Sequence, residues 1–89
     1  MSKKYKISAE TRQITTNTTL LPENKYGGWM AVNQGATTAK VFGYELQPGE
    51  GIDFRDCVPV DAYWDTPIQI IPGTGGLVVI TRLQVLKIA

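Results

Sequence analysis

Four aspartates in the middle of the chain come nearest to a catalytic arrangement. They are Asp53, Asp56, Asp61 and Asp65. A glycoside hydrolase holds two carboxyl groups about 5 to 9.5 Å apart across a cleft, and a chain of 89 residues has little material for the walls of one. The aspartates also lack the D-x-[DN]-x-[DN]-G spacing of an EF-hand calcium loop. We interpret them as solvated acids of turns.

The sequence contains no histidine and a single cysteine, Cys57. Without imidazole the chain lacks the commonest general base and the commonest metal ligand. A lone cysteine forms no internal disulfide, and with no base to activate its thiol it is expected to be a small buried hydrophobe. We therefore expect no enzymatic activity, no catalytic residue, no metal and no cofactor.

Two further motifs look like binding sites only superficially. The run GTGGLV has Val78 where a dinucleotide-binding loop needs its third glycine. Lys3, Lys4 and Lys6 around Tyr5 could touch nucleic acid, but lysines at a chain end more often serve solubility, so no nucleic-acid partner is expected. The sequence has neither the apolar region of an export signal nor a membrane-spanning run. This predicts synthesis in a cytoplasm and no membrane partner.

The two tryptophans suggest a different kind of site. A carbohydrate-binding module could stack a sugar on Trp64 and Tyr63, with Asp61 and Asp65 beside them to bind hydroxyl groups. Trp29 follows the flexible YGG and begins an apolar strand, which is more typical of a core or interface anchor. Sugar binding is therefore the alternative function.

The alternation of apolar and polar residues predicts the fold class. β-Branched and aromatic residues alternate with polar ones, and turn formers separate the runs at short intervals. We expect an all-β fold, a small antiparallel β-sandwich or jelly-roll-like barrel with an extended N-terminal segment. Residues 1–25 would form an N-terminal arm or edge strands and residues 26–89 the sandwich, within a single domain overall.

The stretch GYELQPGEGIDF, residues 43–54, predicts a hairpin. Pro48 and Gly49 suit the second and third positions of a type II turn. The strand before this turn would include Gly43, and a glycine inside a strand indicates a bulge or a close backbone approach.

The end of the chain predicts a second hairpin and raises a question. IQII and LVVITRLQVLKI flank the turn PGTGG. In the last strand both alternating sets of residues are apolar, whereas a half-exposed strand should have one polar face. Either a bulge near Arg82 exchanges the two faces, or another subunit covers the second face.

Three patterns follow one another from Val32 onward. They are N-x-G … V-x-V-x-G-x-x-L-x-P-G-E … F, then D-T-x-I-x-I, then G-x-x-N-L-V-V-I. The matching residues are Asn33, Gly35, Val41, Gly43, Leu46, Pro48, Gly49, Glu50, Phe54, Asp65, Thr66, Ile68, Ile70 and residues 77–80. In these patterns the sequence resembles small β-sandwich proteins of tailed bacteriophages, notably of phages infecting gut Bacteroidetes, including crAss-like phages.

The resemblance implies a non-enzymatic structural component of a virion. It would be a capsid auxiliary or decoration protein, or a protein that anchors a head fibre, and it would bind neighbouring virion proteins after synthesis in the bacterial host cytoplasm. A homo-oligomer is expected. The apolar final strand and the N-terminal segment would make the contacts. The residues that we expect there are Ile7, Ile14, Trp29, Ile80, Leu86 and Ile88.

Overall fold

The structure is a computed structural model that describes residues 5–23, 25–59 and 62–87. Two four-stranded antiparallel sheets pack against each other, which confirms the all-β prediction. A short 3₁₀ turn, Arg55–Cys57, follows the sixth strand. The strands are β1 Tyr5–Ile14, β2 Thr18–Leu20, β3 Trp29–Asn33, β4 Ala39–Val41, β5 Tyr44–Leu46, β6 Gly51–Asp53, β7 Ile68–Ile71 and β8 Val78–Lys87.

The strand order is that of a jelly roll. Sheet A has the order β1-β8-β3-β6 and sheet B the order β2-β7-β4-β5. The antiparallel pairs β4·β5, β3·β6, β2·β7 and β1·β8 are nested, so the chain is one long two-stranded ribbon folded back at the β4–β5 turn. Rolling up that ribbon adds the pairs β3·β8 and β4·β7 and produces the two sheets. The fold is thus a β-sandwich with jelly-roll topology, which confirms the predicted fold class.

The turn at the centre of the roll is Phe42–Gly43. Both residues have positive φ, 52° and 83°, and Val41 pairs with Tyr44 across them, which is the geometry of a two-residue type I′ hairpin. The prediction of a bulge or a close backbone approach at Gly43 is therefore wrong, since this glycine lies in the turn between β4 and β5 and a Cβ there would meet no atom within 4 Å. Phe42 is not a usual residue for this backbone conformation, which costs about 1 to 2 kcal/mol. Its ring packs edge-on against Trp29, with 6.0 Å between ring centroids, and this contact holds it there.

Two predicted turns form, but they join the sheets instead of building hairpins. The Glu50 N–H donates to the Gln47 carbonyl at 2.9 Å, and Gly49 has a φ of 86°, as a type II turn requires. The flanking strands β5 and β6 nevertheless lie in different sheets, and so do β7 and β8 around PGTGG. The hairpin predictions were wrong because each of these strands pairs with a strand that is distant in sequence.

The core lies between the sheets around Trp29. This fully buried indole contacts three half-buried rings, Phe42, Phe54 and Trp64, with centroids 5.0 to 6.0 Å away. Ile52 and Phe54 point inward as the alternation predicts. The other buried apolar residues of the core are Ile14, Leu20, Ala31, Ala39, Val41, Leu46, Ile68, Ile70, Val78 and Ile80.

β8 runs without a bulge. Each of its residues from 78 to 87 pairs one-to-one with residues 14 to 5 of β1, and residues 78–82 pair likewise with β3. Val78, Ile80 and Arg82 therefore face the core, and the odd-numbered residues face away from it. The bulge alternative is excluded, so the second apolar face of this strand lies on the outside of sheet A.

The N-terminal segment supplies edge strands to both sheets, β1 in sheet A and β2 in sheet B. Cys57 is exposed in the 3₁₀ turn, which corrects the expectation of a buried thiol. The described ranges include no helix that is long and apolar enough to cross a membrane.

Asn33 is a buried polar link between the two sheets. Its side-chain amide donates to the carbonyls of Thr37 at 2.8 Å and Leu46 at 2.9 Å, and its Oδ1 accepts from the Gly35 N–H at 2.9 Å. Asn33 ends β3 in sheet A, whereas Leu46 ends β5 in sheet B. One fully buried side chain thus satisfies three backbone groups that the loops leave unpaired.

We predict that Asn33→Ala lowers the free energy of unfolding by about 3 kcal/mol, because three buried hydrogen bonds are lost at roughly 1 kcal/mol each. Urea denaturation measures this change, and Gln34→Ala, at the exposed neighbouring position, is the control with an expected change near zero. Equal stabilities of the two variants would contradict the role given to Asn33.

Candidate interaction surface

The far ends of β1 and β8 leave the body of the sandwich. β3 pairs with β8 over residues 78–82, and Gly27 and Gly28 extend the hydrogen bonding to Leu83. Beyond that point, residues 84–87 pair only with residues 5–8 among the described residues. These four pairs form a projecting ribbon about 13 Å long, and the molecule measures 51 × 21 × 18 Å. A two-stranded ribbon alone is marginally stable in water, so this part of the fold is suited to a neighbour.

The outer edge of β1 is open. Peptide groups point alternately to the two sides of a strand, and the Leu83 N–H donates to the Gly28 carbonyl of the β3 side at 2.9 Å. The peptide groups of the odd-numbered residues of β8 therefore point to β3, and those of its even-numbered residues point to β1. By the register, the peptide groups of the even-numbered residues of β1 point back to β8. The odd-numbered residues of β1, from Ile7 to Gln13, direct their peptide groups outward, with no backbone hydrogen bond to another described residue.

The outer face of sheet A, the side opposite sheet B, carries an apolar patch. Antiparallel sheets with one solvated side usually carry polar residues there. Ile7 is 67% exposed at the ribbon end of this face. An apolar patch on a sheet is typical of a surface that contacts another protein. The apolar residues of the outer face are Ile7, Ala9, Met30, Val32, Val79 and Leu83, and its polar residues are Thr11, Gln13, Asp53 and Thr81.

A polar cluster, which we call the brace, lies where the ribbon leaves the body. It consists of Glu10, Glu23, Tyr26 and Arg82. The Arg82 guanidinium, 7% exposed, donates to Glu10 Oε1 at 2.9 Å and lies 3.4 Å from Glu23 Oε2. It also stacks 4.1 Å from the centre of the Tyr26 ring, and the Tyr26 hydroxyl donates to Glu10 Oε2 at 2.6 Å. The brace therefore ties β1 and β8 to the segment between β2 and β3.

The brace shifts the pKa values of two of its residues in opposite directions. The hydrogen bond from Tyr26, and next the one from Arg82, lowers the pKa of Glu10 below its ordinary value of 4.5. The same hydrogen bond, helped by burial, raises the pKa of Tyr26 above its ordinary value of 10.0. The folded state therefore favours a charged Glu10 and a neutral Tyr26.

A small cavity beside the brace has room for one water molecule, about 10 Å³. Trp29, Trp64 and Arg82 are among the residues that line it, and the Nε1 atoms of both indoles and Nε of Arg82 are buried without a partner among the described atoms. A cavity of this size does not admit a sugar ring.

The predicted contact residues divide between the surface and the core. Ile7 is exposed on the projecting ribbon, and it stays a predicted contact. Ile14, Trp29 and Ile80 are at most 4% exposed. Their side chains pack in the core because the even-numbered residues of β1 and β8 and the odd-numbered residues of β3 face sheet B. This placement corrects the expectation for these three residues. The structure describes only the backbone of Leu86, and Ile88 lies outside the described residues.

The predicted sugar-binding residues do not form an aromatic platform. Trp64 is half-buried and packs 5.5 Å from Trp29 and Phe42, nearly at right angles to the first ring. Tyr63 is half-exposed beside it and Asp65 is exposed, whereas Asp61 lies outside the described residues. The indole face that would stack on a sugar is thus engaged by the core.

Sequence reasoning missed the brace and the outer face. A charged residue inside the apolar run LVVITRLQVL is the signal that could have indicated a buried arginine. Its partners Glu10 and Glu23 lie 72 and 59 positions earlier in the chain, so no local pattern reveals them. In the same way, only the register of β8 shows which of its two apolar faces is outside.

The comparisons with known proteins give no relative. No protein-family model, no curated protein and no solved structure matches the chain. Within residues 5–23, 25–59 and 62–87, no group of three or more acidic or cysteine residues is placed to hold a metal ion.

We predict that Glu10→Gln makes stability less dependent on pH at the acid end. A lowered pKa means that charged Glu10 stabilises the fold above about pH 4.5 and that this contribution is lost as pH falls through the lower folded-state value. The difference in unfolding free energy between parent and variant should therefore be largest near neutral pH and shrink below pH 4.5.

Urea denaturation between pH 3 and pH 8 measures this difference, with Glu45→Gln on the exposed side of β5 as the control. The raised pKa of Tyr26 adds stability below pH 10.0 that is lost at higher pH. A parent–variant difference that is the same at pH 3 and pH 7 would contradict the assignment of the brace.

Proposed function

We propose that the chain is a non-enzymatic structural component of a phage particle that binds neighbouring virion proteins through the outer face of sheet A and the projecting ribbon. The observation that carries the binding role is the ribbon itself. It extends a sheet beyond its own core, has strand edges that pair with no other described residue, and presents Ile7 at 67% exposure. Burial of this apolar surface against a neighbour, with strand pairing at the edge, is the mechanism.

The assignment to a capsid auxiliary, decoration or fibre-anchoring protein is supported by the sequence resemblance to small phage β-sandwich proteins. Jelly rolls occur in viral capsid proteins and also in lectins, so the fold agrees with both this function and the carbohydrate-binding alternative. The position of Trp64 in the aromatic core favours the structural role. Location in the virion after synthesis in the host cytoplasm is part of the same proposal.

We predict that Ile7→Ser leaves stability within about 0.5 kcal/mol of the parent, because the side chain is exposed, and reduces the amount of the chain recovered with purified particles at least tenfold. The matched control is Ile14→Ser on the same strand, where loss of a buried isoleucine should cost about 3 kcal/mol. Urea denaturation and quantitative mass spectrometry of particles give the two readouts.

Two outcomes would overturn the proposal. If the chain is absent from purified particles of the encoding phage, it acts as an assembly factor or has another function. Saturable sugar binding on a glycan array, abolished by Trp64→Ala, would establish the carbohydrate-binding alternative.

A further inference from the structure

The open edge of β1 is unusually suited to strand pairing. All ten residues of β1 pair one-to-one with β8, without a bulge and without proline, so the outer edge is straight and continuous. Natural edge strands are usually protected by bulges, prolines, short length or charged side chains. β1 has none of the first three, and its charged residues Lys6, Glu10 and Arg12 include both signs, so that they can pair with one another across two copies. An edge of this kind is a template for another strand.

We infer that this edge pairs with the same edge of a second copy of the chain, antiparallel about a twofold axis that places Ser8 opposite the partner's Ser8. The inference rests on the proposed function and deepens it, since it names the neighbour that the projecting ribbon contacts. Sheet A would then continue into the sheet A of the second copy.

The sequence of β1 selects this register. With Ser8 on the axis, Ile7 lies opposite the partner's Ala9 on the outer face, and Lys6 lies opposite the partner's Glu10 on the other face. By symmetry each contact occurs twice. The odd-numbered residues, whose peptide groups point outward, are opposite one another, which is the arrangement that a hydrogen-bonded antiparallel ladder needs. Glu10 keeps 38% of its side chain exposed within the brace, so a lysine can reach it.

Other registers are less favourable for the same side chains. Moving the axis to Ala9 places Lys6 opposite the partner's Arg12, and moving it to Glu10 places two glutamates opposite each other, so both registers bring like charges together. With the axis at Thr11, Glu10 meets the partner's Arg12, but Ile7 falls outside the paired region. Of these four registers, the one centred on Ser8 combines opposite charges with burial of Ile7.

A cysteine cross-link tests the inference directly. Directly opposite residues that lack mutual hydrogen bonds have Cα atoms about 4.5 Å apart, which is within disulfide range. In a Cys57→Ser background, which removes the exposed native thiol, Ser8→Cys should give a covalent dimer in an oxidised-glutathione buffer. Gln13→Cys is the control, because the two copies of residue 13 would lie about 34 Å apart and should give no dimer.

Sedimentation of the Cys57→Ser chain, with no added cysteine, provides a second measurement. A dimer that Ile7→Lys converts to monomer is the expected result. A monomer at 200 µM, or a Ser8→Cys yield no higher than that of Gln13→Cys, would overturn the inference. Preferential cross-linking of Thr11→Cys would overturn the register.

These outcomes are separable from the failure of the proposed function. A chain that is monomeric in solution but present in purified particles would remove the second copy as the neighbour and leave the virion role. A chain that is dimeric in solution but absent from purified particles would keep the second copy as the partner and remove the virion role.

Discussion

The nested pairing of strands is the constraint on which the rest of this structure depends. Once the chain reverses at Phe42–Gly43, β4 pairs with β5 across the turn, and each further nested pair is placed outside the previous one. The sequence separation of paired residues grows from the two-residue turn to the distance between Tyr5 and Lys87. Such non-local pairing is entropically costly and is typical of slow folding. Forming the local turn therefore costs the least conformational entropy, and forming the β1·β8 pair costs the most.

Two buried polar side chains, Asn33 and Arg82, fix the position of the two ends of β3, which apolar packing alone would not specify. Asn33 secures the end of β3 that faces the β3–β4 loop and the end of β5. Arg82 lies opposite Trp29 at the other end of β3, where it holds β1 through Glu10. Arg82 bonds to Glu10, 72 positions away in the chain, whereas Asn33 bonds to its near neighbours Gly35 and Thr37 and to Leu46 of the other sheet. Their value lies in specifying one arrangement, because removing a single partner leaves a buried polar group unpaired.

The fold class followed from the sequence more readily than the pairing of the strands did. Alternation of apolar residues and the turn formers Pro48 and Gly49 are local signals, and they predicted strands and a type II turn in the right places. Whether a turn joins neighbours in one sheet or crosses between sheets depends on distant strands, which explains both incorrect hairpins. The type I′ turn was missed because Phe42 is an atypical residue for positive φ.

The candidate surface was predicted only at Ile7. The two apolar faces of β8 were visible in the sequence, but the choice between them needed the register with β1 and β3. Trp29 and Ile80 have the residue types of interface anchors and also those of core anchors. Their complete burial decides for the core. The contact role passes to the opposite faces of the same strands, which are the odd-numbered residues of β8 and the even-numbered residues of β3.

The pairing of Tyr5 with Lys87 at the tip of the projecting ribbon also determines how the molecule responds to force. A load that separates these two residues acts on one ladder pair at a time, so the strands unzip from the tip at low force. A load that pulls the whole ribbon away from the sandwich, in contrast, acts along β1 and β8 and shears many hydrogen bonds together. A protein attached through this ribbon would therefore resist axial tension well and peeling poorly.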